Sequence, residues 1–266
     1  MLNYKIRNFT RFLFIIVLSS TLQQLHLTMA TTNHPRVNTA THPLILTRLY
    51  HRWIPRLAKE PTSTLLLITP LNRFLELRFS RTSTPLLLHA TAGTYLRTAT
   101  HGIRGYTIST ADAENQVHTL HHQLNGDIME SGMLTDPVDG VEKGYEAVWR
   151  ISEANPRLAV VMVLRQGGGM VVRVGAWCQG VMKIGNEVTA ERWIRDRGGW
   201  RRVAKSGGGR LPCSIACLDR DEEGGEGGKY LRSARGLGFV VAKTLEQGDV
   251  VVVEGMEWRV VEKFVW

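Results

Sequence analysis

Read for alternation of hydrophobic and polar positions, the chain has two textures. From Leu158 onward, short apolar stretches follow one another at close spacing: Leu158–Arg165, Met170–Val174, Trp177–Ile184, Glu187–Ile194 and Trp200–Lys205, with Val250–Val253 and Glu257–Val265 at the end. Glycines punctuate them at Gly167–Gly169, Gly185-Asn186, Gly198-Gly199, Gly207–Gly209 and Gly255. Glycine supplies the positive φ of tight hairpins, so this stretch predicts an antiparallel meander. A long meander must hide its edges, and closure into a barrel does so. Earlier in the chain the pattern is sparser. Thr64–Thr69 is an apolar run closed by Pro70, and Phe74–Phe79 sets Leu75, Leu77 and Phe79 against Glu76 and Arg78, the two-residue period of a half-buried strand. Leu86–His89 and Arg104–Ser109 read as weaker strands, and 111–126 as a polar loop or loose helix. Val141–Ile151 predicts the one short helix, stopped by Asn155-Pro156 because proline disfavours helix in the residue before it.

Residue usage divides at about the same place. No glycine precedes Gly93 and 21 of the 26 lie from Gly140 on, whereas all nine histidines lie at or before His122. Two such compositions predict two domains. The expected organisation is a leader over 1–48, an N-terminal β-barrel over 49–131 whose completeness is left open where the strand pattern weakens, a connector with the short helix over 132–156, and a C-terminal β-barrel over 157–266. The fold class is all-β: two antiparallel barrels joined by a short helical segment.

Charge changes the picture of partners. The net charge is +9, but the eight basic residues before Glu60 meet no acid, which leaves 25 basic and 24 acidic residues, a net of +1, from Glu60 to the end. A nearly neutral body argues against nucleic acid as partner, since phosphate binding needs clustered basic charge on the folded surface. The leader has three readings. Lys5, Arg7 and Arg11 before the apolar Phe12–Leu18 resemble a short signal peptide, the acid-free Ser/Thr-rich composition resembles a mitochondrial presequence, and Met29 offers an ordinary cytosolic start, the reading preferred here. Beyond that short run nothing approaches the roughly 18 apolar residues of a membrane span, so no stable membrane insertion of the folded body is expected.

Motifs for chemistry are scarce. Gly224–Lys229 lacks the first Walker glycine, replaced by Glu223, and has Tyr230 where Ser or Thr belongs. Gly236-Leu237-Gly238 lacks a third dinucleotide-binding glycine, since Val241 stands there. His118, His121 and His122 read as surface histidines of a polar loop, and Cys178, Cys213 and Cys217 as structural thiols. No cofactor, metal or catalytic residue is expected. What remains is a barrel interior: Arg173, Trp177, Trp193, Trp200 and Trp258 are the candidate pocket residues of the C-terminal domain. If Val172 and Val174 fill the interior, Arg173 is outside and solvated; if the interior is polar, Arg173 meets an anionic ligand.

A longer ordered series of residues points to a family. Arg52-Trp53, Glu60-Pro61-Thr62-Ser63-Thr64 and Arg73-Phe74 open it, and Gly132-Met133, Asp136-Pro137, Gly140, Tyr145-Glu146 and Trp149 continue it. The densest part is Gly169-Met170-Val171-Val172-Arg173-Val174-Gly175, Cys178-Gln179-Gly180 and Gly185-Asn186-Glu187-Val188-Thr189-Ala190-Glu191-Arg192-Trp193. Gly199-Trp200-Arg201-Arg202, Leu211-Pro212-Cys213 and Trp258-Arg259-Val260-Val261-Glu262 extend it. The series resembles the fungal Hri family over about 50–266, with departures at 85–130, 219–229 and the leader. The resemblance implies lipocalin-like, calycin-type barrels, protein–protein contacts with a casein-kinase-1 homologue as partner, cytoplasmic and nuclear residence, and no catalytic residues. A non-catalytic protein acting through protein contacts is therefore expected. The alternative is an intracellular carrier or sensor of a small apolar ligand in the C-terminal barrel, with secretory or mitochondrial residence if 1–28 is a functional leader.

Overall fold

In a computed structural model describing residues 42–111, 115–136, 138–153, 156–218 and 245–266, eight strands form an up-and-down meander. They are β1 (Leu44–Trp53), β2 (Thr62–Ile68), β3 (Arg73–Ser80), β4 (Leu87–Arg97), β5 (His101–Ser109), β6 (Gln116–His122), β7 (Ile128–Thr135) and β8 (Glu142–Ile151). β8 returns to pair with β1, from Leu46 opposite Ile151 to Trp53 opposite Tyr145, and closes the sheet into a barrel. Closure leaves this sheet no unpaired edge.

The structure answers one open question in this half and corrects two expectations. The first barrel is complete. The segment 111–126 contains β6, and Val141–Ile151 is strand β8 rather than a helix. The cause is the same in both: the face turned into this barrel carries polar and aromatic groups, so alternation of apolar with polar residues does not mark it. Gln116, His118 and Leu120 point inward from β6, and Tyr145, Ala147 and Trp149 from β8, each at the two-residue period of a strand. At the β4–β5 pairing the barrel needs a residue without a side chain. A Cβ on Gly93 would lie 1.9 Å from the Gly105 carbonyl oxygen, beside the bulge after Ala92.

The second sheet contains β9 (Leu158–Leu164), β10 (Gly169–Val174), β11 (Trp177–Ile184), β12 (Glu187–Asp196), β13 (Gly199–Ser206), β14 (Val250–Val253) and β15 (Met256–Val265). Every strand anticipated there is present. Its order is β13-β12-β11-β10-β9-β15-β14, all neighbours antiparallel. The expected sealed cylinder is corrected: among the described residues this sheet is a curled, seven-stranded half-barrel with β13 and β14 at its edges. A one-turn helix, α1 (Cys213–Ala216), packs on the face turned away from the barrel.

Both sheets belong to one unit, Ala40–Trp266. The outward residues of the barrel, Leu65, Leu67, Leu75, Leu77, Phe79, Ala90, Ala92 and Ile108, pack against Ala159, Val161, Met170, Val172, Val174, Val181 and Ala190 of the half-barrel. Fully burying a Leu, Val or Phe side chain contributes about 1.5–3 kcal/mol, so this layer is the main apolar core. Two polar side chains cross it. Gln179 Nε2 donates to the carbonyls of Leu65 and Leu75 at 3.2 Å each, and the Arg192 guanidinium donates to Leu77 O at 2.7 Å, Ser63 Oγ at 2.9 Å and Gln179 Oε1 at 2.9 Å. Arg192 is 4% exposed with no acid beside it, and burial lowers its pKa to about 10.

Candidate functional site

The alternation in FLELRF sends Leu75, Leu77 and Phe79 under the half-barrel, and therefore Glu76 and Arg78 into the lumen. Register carries the charge around the barrel. Arg104 lies opposite Tyr95 on β4 and Gln116 on β6, and Glu130 lies opposite Leu120 on β6 and Ala147 on β8. Arg104 Nη2 donates to Glu130 Oε2 at 2.6 Å, and Arg104 Nη1 lies 3.7 Å from Glu76 Oε2. Glu76 Oε1 accepts from Arg78 Nε at 2.6 Å, and Glu60 Oε2 from Arg48 Nε at 2.5 Å. The hydroxyl of Tyr145 donates to Glu130 Oε1 at 2.8 Å and accepts from Gln116 Nε2 at 2.7 Å. His118 Nε2 lies 2.8 Å from Tyr95 Oη. Aromatic rings and aliphatic side chains complete the filling: Phe74, Tyr95, Trp149, Leu66 and Ile68 are buried around the ion pairs.

The electrostatics follow from burial and pairing. Burial raises the pKa of Glu76, but Arg78, Arg104 and Arg48 overcome it and pull the carboxyl down to about 2. Burial lowers that of Arg104, but Glu130 and Glu76 overcome it and raise it well above the usual value. Burial first, with Arg104 or Arg48 nearby, holds His118 and His51 at about 4, so both imidazoles are neutral at pH 7. Burial raises Tyr95 to about 12 and Tyr145 further, so both remain hydroxyl donors. A cavity of about 30 Å³ opens beside Tyr95, Arg97, Arg104, Glu130 and Trp149 at one end of the lumen.

The five residues singled out from sequence do not share one face. Arg173, Trp193, Trp200 and Trp258 lie on the face of the half-barrel turned away from the barrel, with Trp258 fully buried. Trp177 lies on the other side and packs against the barrel. Arg173 follows neither alternative posed for it. Val172 and Val174 do bury their side chains, but against the barrel, and Arg173 on the opposite face is only 2% exposed. Its guanidinium lies 4.7 Å over the Trp200 ring and donates through Nη1 to Ala216 O at 3.0 Å and Leu218 O at 3.3 Å, binding α1 and the residues after it to the sheet. Cys178, Cys213 and Cys217 are buried thiols outside any disulfide and close enough to hydrogen-bond. Burial raises the pKa of Cys178, but those bonds and Arg173 bring it down to about 5. Among the described residues no group of three or more His, Cys, Asp or Glu is arranged to hold a metal. His118 is corrected from a surface loop to the lumen wall, while His121 and His122 are exposed. Glu223–Tyr230, Gly236–Gly238 and the leader up to 41 lie outside the described residues.

Sequence reasoning missed the lumen set: Arg48, Glu76, Arg104, His118, Glu130 and Tyr145. The signal was present in Glu76 and Arg78, recognised as one face of a strand; the unused inference is that the apolar face of a barrel strand can point outward when a second sheet covers it. It also missed an apolar row on the barrel's outside. Leu96 on β4 lies opposite Ile103 on β5, which lies opposite Val117 on β6. Met133 on β7 stands two residues from Ser131, as Val117 stands two from its partner Thr119. These four are 56%, 42%, 60% and 55% exposed, and none belongs to the layer under the half-barrel.

A closed barrel with a plugged, ion-paired lumen, packed face to face on a curled half-barrel, defines the class: an all-β barrel protein. Within it, this chain belongs to the HRI1 family, whose model, described as Protein HRI1, matches residues 44–231. The crystal structure of the uncharacterized protein YLR301w from Saccharomyces cerevisiae is similar in fold, with a TM-score of 0.62 at 16% identity over 85% of this chain and 100% of that one. Among curated proteins, none matches the chain. Among the described residues no helix is long and apolar enough to cross a membrane.

Proposed function

We propose that the protein is a non-catalytic binding module that acts through protein contacts made by the outside of its closed barrel. The observation that carries this reading is the apolar row Leu96, Ile103, Val117 and Met133. These side chains stand together and exposed on four successive strands, and contiguous exposed apolar surface on a folded domain marks an interaction site. The lumen supports the same reading from the other side. Its carboxylates Glu60, Glu76 and Glu130 are each paired with an arginine, and about 30 Å³ of space at its end falls far below the few hundred Å³ a small-molecule site needs, which argues against carriage of such a ligand in this lumen. The partner proposed by family resemblance is a casein-kinase-1 homologue, met in the cytoplasm and nucleus. The test uses the full chain and a purified casein-kinase-1-type kinase in sedimentation velocity. Leu96→Ser/Ile103→Thr/Val117→Thr, which keeps strand-forming residues at two of three positions, is expected to weaken association at least tenfold with an unchanged melting temperature. Equal association of the two proteins, or recovery of a stoichiometric small molecule without a protein partner, overturns the proposal.

A further inference from the structure

The charges facing the lumen do not cancel. Four guanidiniums, Arg48, Arg78, Arg97 and Arg104, meet three carboxylates, Glu60, Glu76 and Glu130. Glu60 pairs with Arg48, Glu76 with Arg78 and Glu130 with Arg104. Arg97 is left over: its guanidinium lies 5.7 Å from the Tyr95 ring centre, and no carboxylate partners it among the described residues. Arg97 lines the cavity of about 30 Å³ with Arg104 and Trp149. In each of these three residues a buried nitrogen has no hydrogen-bond partner: Arg97 Nε, Arg104 Nε and Trp149 Nε1. Arg104 and Trp149 are 3% and 2% exposed, so solvent does not reach these groups freely. All three are donors that cannot accept. The carboxylate lining the same space, Glu130, already accepts from Arg104 Nη2 and Tyr145 Oη.

Three residues lining one small space each carry an unsatisfied donor, and one of them carries an uncompensated positive charge. From this we infer that the end of the barrel lumen is a binding site for one monatomic anion, a halide such as chloride, held between Arg97, Arg104 and Trp149. Size sets the class. A water needs roughly 10–15 Å³, so about 30 Å³ accommodates a monatomic ion and suits it better than phosphate, sulfate or an organic carboxylate. Charge separates the ion from water. A water satisfies donors but leaves the Arg97 charge uncompensated and needs acceptors for its own two protons. The site is distinct from the outer apolar row and stands or falls independently of the partner-binding reading.

The experiment is thermal unfolding of the full chain in sodium chloride, sodium bromide or sodium gluconate at matched ionic strength, with a crystal soaked in bromide. At a hundredfold excess over its Kd the halide is expected to raise the melting temperature by about 5–10 °C over gluconate. An anomalous bromide peak is expected between the three donors. Arg97→Met, at a half-buried position, removes the charge, and Trp149→Phe removes one N–H while keeping a ring. Each is expected to lose at least half of the halide-dependent shift, read against its own melting temperature in gluconate. Density that refines as water without an anomalous signal, or a halide shift of equal size in wild type and Arg97→Met, overturns the inference.

Discussion

Replacing Glu130 by Gln tests whether the lumen is held by a paired charge network. The carboxylate is 2% exposed and accepts two hydrogen bonds, from Arg104 Nη2 at 2.6 Å and Tyr145 Oη at 2.8 Å. A glutamine has the same shape but one acceptor oxygen and no charge, so its NH₂ either faces Arg104, a donor against a donor, or takes the place of the acceptor to which Tyr145 Oη donates. Arg104 is left with Glu76 at 3.7 Å, whose other oxygen is already bound by Arg78 at 2.6 Å. Removing one partner of a buried ion pair costs about 3–5 kcal/mol, because the remaining charge is stranded away from water. For a protein of this size that corresponds to a fall in melting temperature of about 10 °C. Removing both charges is a different perturbation. Arg104→Met/Glu130→Leu replaces the pair by apolar groups, and such replacements are often neutral. The double variant is therefore expected to lose at least about 2 kcal/mol less than the two single losses added. Urea unfolding at pH 7.5, followed by tryptophan fluorescence and far-ultraviolet circular dichroism, measures wild type, Glu130→Gln, the singles Arg104→Met and Glu130→Leu, and the double variant. A Glu130→Gln loss below about 1 kcal/mol, or single losses that add within about 0.5 kcal/mol, refutes the network.

Two further outcomes follow from the same structure. His118 is held neutral, with its pKa lowered to about 4 by burial. The unfolded chain takes up a proton near pH 6.5 that the folded chain refuses, so this contribution to stability is complete above pH 6.5 and is lost as pH falls from 6.5 to 4; it amounts to about 3 kcal/mol, and His118→Gln is expected to reduce the slope of unfolding free energy against pH over that window by up to one proton, an unchanged slope being the contrary result. Arg192→Leu strands buried acceptors at Leu77 O, Ser63 Oγ and Gln179 Oε1, with an expected loss of about 2–4 kcal/mol in urea unfolding that Arg192→Lys does not recover, because an ammonium cannot reach all three in the guanidinium's plane; a variant as stable as wild type contradicts the proposed tie between the sheets.

Legibility from sequence followed the polarity of what each strand faces. In the half-barrel, both faces of β9, β10 and β11 are buried in apolar layers and the turns carry glycine with positive φ at Gly167, Gly185 and Gly199, so patterns and punctuation agree. In the barrel, β6 and β8 turn Gln116, His118 and Tyr145 inward and Val117 outward, reversing the polarity that pattern reading assumes. Val141–Ile151 carries a helical rhythm as well as a strand's, and only the need of β1 and β7 for a common neighbour decides between them. Sequence could not weigh that need. Arg173 shows the same limit at a single residue: alternation placed it opposite the valines, but not under Trp200 with α1 carbonyls on its guanidinium.

The inverted barrel also explains why its register is fixed. A slip of one residue in β3 would move Glu76 and Arg78 into the leucine layer beneath the half-barrel and Leu75 and Leu77 into the ion-paired lumen, so both faces oppose it. Charged groups inside a barrel add little net stability when well paired, but they penalise every other register. Outward apolar residues are the necessary counterpart of that arrangement, and over Leu65, Leu67, Leu75 and Leu77 the half-barrel covers them. Leu96, Ile103, Val117 and Met133 occupy the same outward-facing class of position on strands or strand ends the half-barrel does not reach. The barrel's inner face gains nothing from their apolarity, since it points away from the lumen. What such residues can stabilise is contact with a second surface, and the half-barrel packed on the same cylinder already demonstrates what kind of surface fits: an apolar, valine-rich sheet face.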